Sequence, residues 1–366
     1  MYIILTQCFP SRFGGIESLV SNLALSLGKN NNTIVFADQH HILGDSIYDN
    51  QHKDLISIRR FGGIKFFRRR KKIKELKHFI QSKKIQCVIA DTWKSIELCI
   101  EDLNANNIPV ICLAHGNELF SNNAHKTERI SSILNKASII VANSNFTSDL
   151  VKKLVVKKDK VKVVYPGAND LRSIKPDTSI QIKGMPNLLT LSRLEKRKGH
   201  IYILEAVRRL KKKFPNINYI IAGEGNEKNT LQQFVKKNDL EDNVSFIGNV
   251  NDQQKRQLFE HSTLMVMPTL DERHNRSIEG FGIAYLEAAF FGIPSVASKI
   301  GGTPEAVLHE NTGIIIDSHS QLFESLNDLL VDNNKLANLG DNAKKRAEKL
   351  FTWDKVVNDY LSALEN

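Results

Sequence analysis

Short apolar runs alternate with stretches of helical periodicity along this chain, and the whole alternation happens twice. An apolar run bounded by turn residues reads as a strand buried on both faces, and strands separated by helices pair in parallel. In the first half the runs are Tyr2–Leu5, Thr33–Ala37, Cys87–Ala90, Val110–Ala114, Ile139–Ala142 and Lys162–Tyr165. In the second they are Asn187–Leu191, Tyr219–Ala222, Val244–Ile247, Leu264–Met267, Ser295–Ala297 and Gly313–Ile316, with helices predicted at Gly199–Phe214, Thr230–Asn238, Gln253–His261 and Gln321–Asn333. The turn-rich stretch Pro166–Pro176 has no periodicity and reads as a linker. A length of 366 residues exceeds what one core organises and suits two. The expected fold is α/β, with Rossmann-like domains over residues 1–170 and 187–351 joined by a linker over 171–186.

Cys8, Cys87, Cys99 and Cys112 stand singly, which predicts neither a zinc site nor a disulfide framework. Met1–Cys8 lacks the basic start and long apolar run of a signal peptide, and no stretch is long enough to span a bilayer. A cytoplasmic protein is expected. Of the formal net charge of +11, residues 1–170 carry +10, with 25 Lys and Arg against 15 Asp and Glu. The excess peaks at Arg59–Lys77, which has ten Lys and Arg and one acid, Glu75. Phe66, Ile73, Leu76 and Ile80 recur there at helical spacing, predicting a basic amphipathic helix. Such a helix either docks on its own domain or meets an anionic membrane surface. Nucleic acid fits less well: aromatic residues are not interleaved with the basic ones on strands, and the motifs of the second half would have no role.

In doubly wound sheets ligands bind beyond the carboxyl ends of the strands, which makes the strand-to-helix turns the candidate sites. Gly14 and Gly15 precede a helix through Leu19, Leu23, Ala24 and Leu27, and form either a tight turn or a close approach of backbone to ligand. His115 follows another strand, as a structural group or as an imidazole at the same edge. Asn143 either caps the next helix or reaches a ligand. Arg193 and Lys198 come directly after Asn187–Leu191, where a guanidinium can fork two bonds to phosphate and an ammonium adds a point charge. Gly225 belongs to a Gly-x-Gly turn. Glu279 and Glu287 bracket a glycine-punctuated helix start, with free amides expected at Phe281, Gly282 and Ile283 and with Glu287 about two turns inside. Carboxylates accept bonds from hydroxyls and amides hold phosphate or sugar oxygens, which is the chemistry a nucleotide sugar presents.

Gly14-Gly15-x-Glu17, Arg193 with Lys198, Glu279-x7-Glu287 and Gly301-Gly302-x-Pro304-Glu305 together resemble the retaining glycosyltransferases of family 4, whose GT-B fold sets two Rossmann-like domains across a cleft. The stretch from Met267 to Glu287 is similar to mannosyltransferases acting on phosphatidylinositol mannosides. The resemblance implies that Arg193 and Lys198 hold the donor diphosphate, while Glu279 and the Phe281–Ile283 amides hold the donor sugar. It also implies that Glu287 holds the ribose, that His115 contacts the sugar near the reacting centre, and that Phe246–Val250 lies against the base. The donor implied is GDP-mannose and the acceptor a lipid-linked or glycan one, presented by the first domain. A terminal helix over 352–366 should pack back on that domain. No metal or other cofactor is implied, and retention would come from front-face substitution. Asn169 stands where many members carry Asp. Another GT-B enzyme, such as a nucleotide-sugar epimerase, is the alternative.

Overall fold

The computed structural model describes residues 1–12 and 14–365; Phe13, in the first glycine turn, and Asn366 lie outside the described residues. The chain forms two compact units, one of Met1–Gly167 with the segment from Trp353 onward, the other of Ala168–Thr352. Residues 171–186 are counted with the second unit.

The first unit holds strands β1 (Tyr2–Leu5), β2 (Thr33–Asp38), β3 (Ser57–Phe61), β4 (Cys87–Ala90), β5 (Val110–Ala114), β6 (Ile139–Ala142) and β7 (Val161–Val163). They pair in parallel in the order β3-β2-β1-β4-β5-β6-β7. Ile3, Ile4, Leu5, Val88, Ile89 and Ala90 are buried, as residues of central parallel strands covered on both faces must be. The second unit holds β8 (Asn187–Leu191), β9 (Asn218–Ala222), β10 (Val244–Gly248), β11 (Leu264–Met267), β12 (Ser295–Ser298) and β13 (Gly313–Ile316). Its order, β10-β9-β8-β11-β12-β13, repeats the first arrangement. Each sheet therefore reverses direction beside its first strand, at β1/β4 and β8/β11, and such switch points open a crevice at the carboxyl edge.

Two expectations need correction in the first unit. The last strand is Val161–Val163 rather than Lys162–Tyr165, and β3 occupies the start of the basic segment. The helix that follows, Lys65–Ser82, buries Ile73, Leu76 and Phe79, with the Phe79 ring edge-on to Phe36 at 5.5 Å. Its apolar stripe belongs to the domain core. Phe66 is not part of that stripe; it stands 55% exposed at the first turn. Much of the basic face also turns inward. Lys72 Nζ lies 2.7 Å from Asp38 Oδ1 and 2.6 Å from the Thr6 carbonyl, Arg68 pairs with Asp38 at 2.9 Å, and Arg69 pairs with Glu97 at 2.7 Å.

The terminal helix Trp353–Glu365 packs within the first unit on helix Gly15–Gly28. Asp354 pairs with Lys29 at 2.9 Å, and a Cβ at Gly167 would lie 2.6 Å from the Trp353 ring. Among the described residues no helix is long and apolar enough to cross a membrane.

Candidate active site

In the second unit the turn after β8 carries the charge. Lys196–Lys198 form one turn of 3-10 helix, ended by Gly199 at φ +75. A Cβ at Gly199 would stand 2.1 Å from the Pro268 carbonyl, so only glycine lets this turn press against the end of β11. The Leu270 amide fixes it further by donating to the Arg197 carbonyl at 2.7 Å. Lys198 Nζ lies 2.5 Å from Glu279 Oε2, and Arg197 Nη1 lies 2.9 Å from the same oxygen. Burial alone would raise the Glu279 carboxyl, but Lys198 and Arg197 overcome it and hold the pKa at about 2. The glutamate is held by its main chain as well. Its carbonyl accepts from the Gly302 amide at 3.0 Å, and a Cβ at Gly301 would meet that oxygen at 2.1 Å. The Gly301-Gly302 motif thus cradles the backbone of Glu279. Arg193 stands outside this cluster, two-thirds exposed, with Nη1 2.7 Å from Glu195 Oε1.

The helix after Glu279 runs from Ile283 to Phe290, so Glu287 sits about one turn inside it rather than two. Gly282 precedes it at φ +99 with no side-chain cap, and Tyr285 ties the turn down by donating to the Met267 carbonyl at 2.6 Å. Phe281 is buried, its ring 6.1 Å from that of Phe351, and Ile283 is half-buried. Glu287 is buried and pairs with Lys255 at 3.0 Å, one turn into helix Asp252–Glu260; half-buried Val250 lies just before that helix. Gly225 has a packing reason: a Cβ there would lie 2.3 Å from the Leu194 carbonyl.

In the first unit Gly14 and Gly15 lead into helix Gly15–Gly28. A Cβ on Gly14 would meet Glu17 Oε2 at 2.2 Å, while Gly15 has open space around it. His115 is half-buried beyond β5, with Nε2 2.8 Å from the Asp91 carbonyl. A carbonyl only accepts, so Nε2 is the donor in this contact and Nδ1 is the ring nitrogen left for another partner. Asp91 itself is clamped by Thr6 Oγ1 at 2.8 Å, the Gln7 amide at 2.8 Å and Ser95 Oγ at 2.5 Å. Beyond β6, Ser144 rather than Asn143 caps the next helix, accepting from the Thr147 amide at 3.0 Å. Asn143 is half-buried, and its amide donates to the Ala114 carbonyl.

Residues 13–171 match the domain described as Glycosyltransferase Family 4, and residues 176–346 match Glycosyl transferases group 1. The chain is a family 4 glycosyltransferase. A GDP-mannose-dependent alpha-(1-6)-phosphatidylinositol monomannoside mannosyltransferase of Mycobacterium tuberculosis is 28% identical over 171 residues, 46% of this chain and 44% of that protein. The protein of the same description from Mycolicibacterium smegmatis is 25% identical over 254 residues, 67% of this chain and 66% of that one. These matches span less than two thirds of either relative. Among solved structures, Anabaena HepE with UDP and glucose superimposes with a TM-score of 0.80 at 20% identity, covering 100% of this chain and 99% of that one. Sucrose-phosphate synthase from Thermosynechococcus elongatus does so with 0.78 at 18%, covering 100% and 98%. The glycosyltransferase has the GT-B fold.

Three residues of the enzyme's polar framework escape a reading of the sequence. Arg197 lies in a run of three cations, and nothing in the run says that Arg197 and Lys198 turn inward while Lys196 stays exposed. Lys255 looks like any lysine of a solvated helix, and Asp91 like a strand-ending turn residue. Among the described residues no three His, Cys, Asp or Glu side chains gather as a metal site.

Proposed function

We propose that this glycosyltransferase moves a mannosyl group from GDP-mannose to a lipid-linked acceptor, with retention at the anomeric carbon and without a metal ion. The observation that carries the reading is the pair of buried cations Arg197 and Lys198 on Glu279 at the carboxyl edge of the second sheet, with Arg193 exposed on the same turn and paired with Glu195. As the bond from sugar to phosphate lengthens, negative charge grows on the departing diphosphate. Lys198, already fixed in place, and Arg193 stabilise it, in the role a divalent cation would otherwise fill. Arg193 leaves Glu195 to do so. Front-face substitution then lets the departing diphosphate take the acceptor's proton. Glu279, kept ionised, accepts from the sugar hydroxyls, and Glu287 accepts from the ribose. The amides of Phe281–Ile283 and the Gly14–Gly15 turn approach the donor, while His115 Nδ1 accepts from a sugar hydroxyl. Val250 and Gly225 border the nucleotide, and Asn143 borders the acceptor side.

GDP-mannose is favoured by the two mannosyltransferases named above. The solved HepE contains UDP, so UDP-sugars are the competing donors. Thermal shifts of the full chain with GDP-mannose, GDP-glucose and UDP-glucose, each in EDTA, test the assignment. Stabilisation by GDP-mannose supports it; stabilisation by UDP-glucose alone overturns the donor, and loss of turnover in EDTA overturns the metal-free site.

The lipid acceptor draws support from an apolar corner of the first unit. Ile42, Leu43, Ile47, Ile64, Phe66 and Phe67 are each more than half exposed, just past the carboxyl ends of β2 and β3. The two turns adjoin, since the Gln39 amide donates to the Phe61 carbonyl at 2.9 Å. Lys65, Arg70, Lys71 and Lys74 are exposed beside them, with Arg70 3.5 Å from the centre of the Phe66 ring. Apolar tips flanked by cations suit an anionic bilayer, where each Lys or Arg contributes about 1 kcal/mol. The enzyme then works at the inner face of the membrane.

A further inference from the structure

A chain of polar side chains crosses the interior of the second unit and ends at the turn that carries Arg193. Thr190 in β8 and Tyr219 in β9 are fully buried, and His200, first residue of helix His200–Leu210, is 2% exposed. The proton on each follows from the partners. The Val266 carbonyl only accepts, so Thr190 Oγ1 donates to it. With its one hydrogen committed, Thr190 must accept from Tyr219 Oη at 2.9 Å. Tyr219 then has no hydrogen left for His200 Nδ1 at 2.8 Å, so Nδ1 carries the proton and donates. Burial pushes the His200 pKa down to about 4, and the ring is neutral at physiological pH. A neutral ring protonated at Nδ1 keeps a lone pair on Nε2, and Nε2 faces Ser192 Oγ at 3.3 Å. The other acceptor within reach of that hydroxyl, the Arg193 carbonyl at 3.2 Å, already accepts from the Glu195 amide at 2.9 Å, whereas Nε2 has the serine hydrogen to accept.

The turn beyond β8 is pinned on both sides of Arg193. The Ser192 amide donates to the Ala222 carbonyl and the Leu194 amide to the Glu224 carbonyl, each at 3.0 Å. A Cβ on Gly223 would lie 1.9 Å from the Ser192 carbonyl, so β9 approaches this turn as closely as glycine permits. The Arg193 carbonyl is held as well, accepting from the Glu195 amide at 2.9 Å, so what the backbone leaves unfixed is the Ser192 side chain. His200 supplies the remaining restraint.

We propose that His200 is a positioning residue for the diphosphate-binding turn: its Nε2 lone pair, oriented by the Thr190–Tyr219 chain, accepts from Ser192 Oγ and holds the turn as Arg193 needs it to reach the donor. The inference rests on the assignment of Arg193 to the diphosphate. A buried polar chain costs stability unless every member is paired, and an apolar set of the same volume would fold as well. The chain's ordered protons matter because their last acceptor lies at the site.

Two substitutions separate the ends of the ring. His200→Asn places an amide near the Nδ1 position and keeps the Tyr219 contact, whereas His200→Gln places an oxygen near the Nε2 position and keeps the Ser192 contact. Each is made in the full chain and assayed with whichever of GDP-mannose and UDP-glucose the wild type turns over. The expected result is a donor KM raised about ten-fold in His200→Asn at nearly unchanged kcat, a KM close to wild type in His200→Gln, and no further rise when Ser192→Ala is added to His200→Asn. Equal KM values in the two variants, or a full extra rise with Ser192→Ala, overturn the proposal. So does a nitrogen-15 spectrum at neutral pH with the His200 proton on Nε2. Arg193→Ala is the control: if it leaves the donor KM unchanged while the spectrum places the proton on Nδ1, the diphosphate assignment fails and the proposal falls with it, although the side-chain chain itself stands.

Discussion

Replacing Glu279 by Gln removes the carboxylate that both Lys198 and Arg197 contact, leaving the more distant Glu195, 3.7 Å from Arg197, as their counter-charge. The wild-type side chain is 13% exposed, with Lys198 and Arg197 both on Oε2. Its pKa of about 2 stands against 4.5 for an ordinary glutamate, a difference worth about 3 kcal/mol of folding stability. A carboxyl held below its unfolded value stabilises the fold above pH 4.5, and that contribution drains away as pH falls toward 2. Glu279→Gln should therefore lose about 3 kcal/mol at pH 7, in the range seen when one partner of a buried pair is removed. The gap to wild type should close below pH 4.5 by about 1.4 kcal/mol for each pH unit. Urea unfolding of the full chain, followed by circular dichroism at pH 7 and at pH 3.5, reads both quantities. A variant within about 0.5 kcal/mol of wild type at pH 7 would refute the electrostatic account of this cluster. A gap of the same size at both pH values would refute its cause.

Other predictions concern the same framework. Lys198→Ala and Arg193→Ala should each lower turnover by about two orders of magnitude or more, with circular dichroism spectra like wild type; near-normal turnover removes that residue from the reaction. Gly301→Ala puts a Cβ against the Glu279 carbonyl at φ +58 and should cost about 1–3 kcal/mol in thermal unfolding; an unchanged melting temperature means that the cradle is not needed. Wild type should sediment with anionic vesicles and be released by salt, and a variant with Phe66→Ser, Phe67→Ser, Lys71→Glu and Lys74→Glu should not sediment. Negligible binding of wild type to anionic vesicles would sink the membrane reading. Arg68, Arg69 and Lys72 are unsuited to that test, because all three sit in ion pairs inside their own unit.

The doubly wound fold is legible in the sequence because central parallel strands, buried on both faces, must be apolar throughout. Strand β3 is not legible, because an edge strand can carry Arg59 and Arg60 and still pair with β2. The 3.6-residue period marks Ile73 and Leu76 but does not say whether their stripe meets a membrane or a sheet; only packing against β2 and β3 decides that. At the candidate site the glycines and carboxylates stand out because their spacing around a helix start is unusual. The partners of those carboxylates do not, since Lys255 lies 32 residues from Glu287 and a lysine on an amphipathic helix has no local signature. The polar chain from Thr190 to His200 is hidden for a related reason: threonine and tyrosine are ordinary strand residues, and their hydroxyl partners come from three different strands and a helix start.

The central claim is that the Glu279 cluster serves transfer of a sugar from a nucleotide. The most direct measurement follows radiolabel from the sugar of GDP-mannose into organic-extractable lipid, with anionic membranes as acceptor source and EDTA present, for wild type and Lys198→Ala side by side. Label carried into lipid by wild type and lost by about two orders of magnitude in the variant is the predicted result. Transfer by the variant at the wild-type rate would contradict the account, as would label that stays on the nucleotide while UDP-glucose is also left untouched.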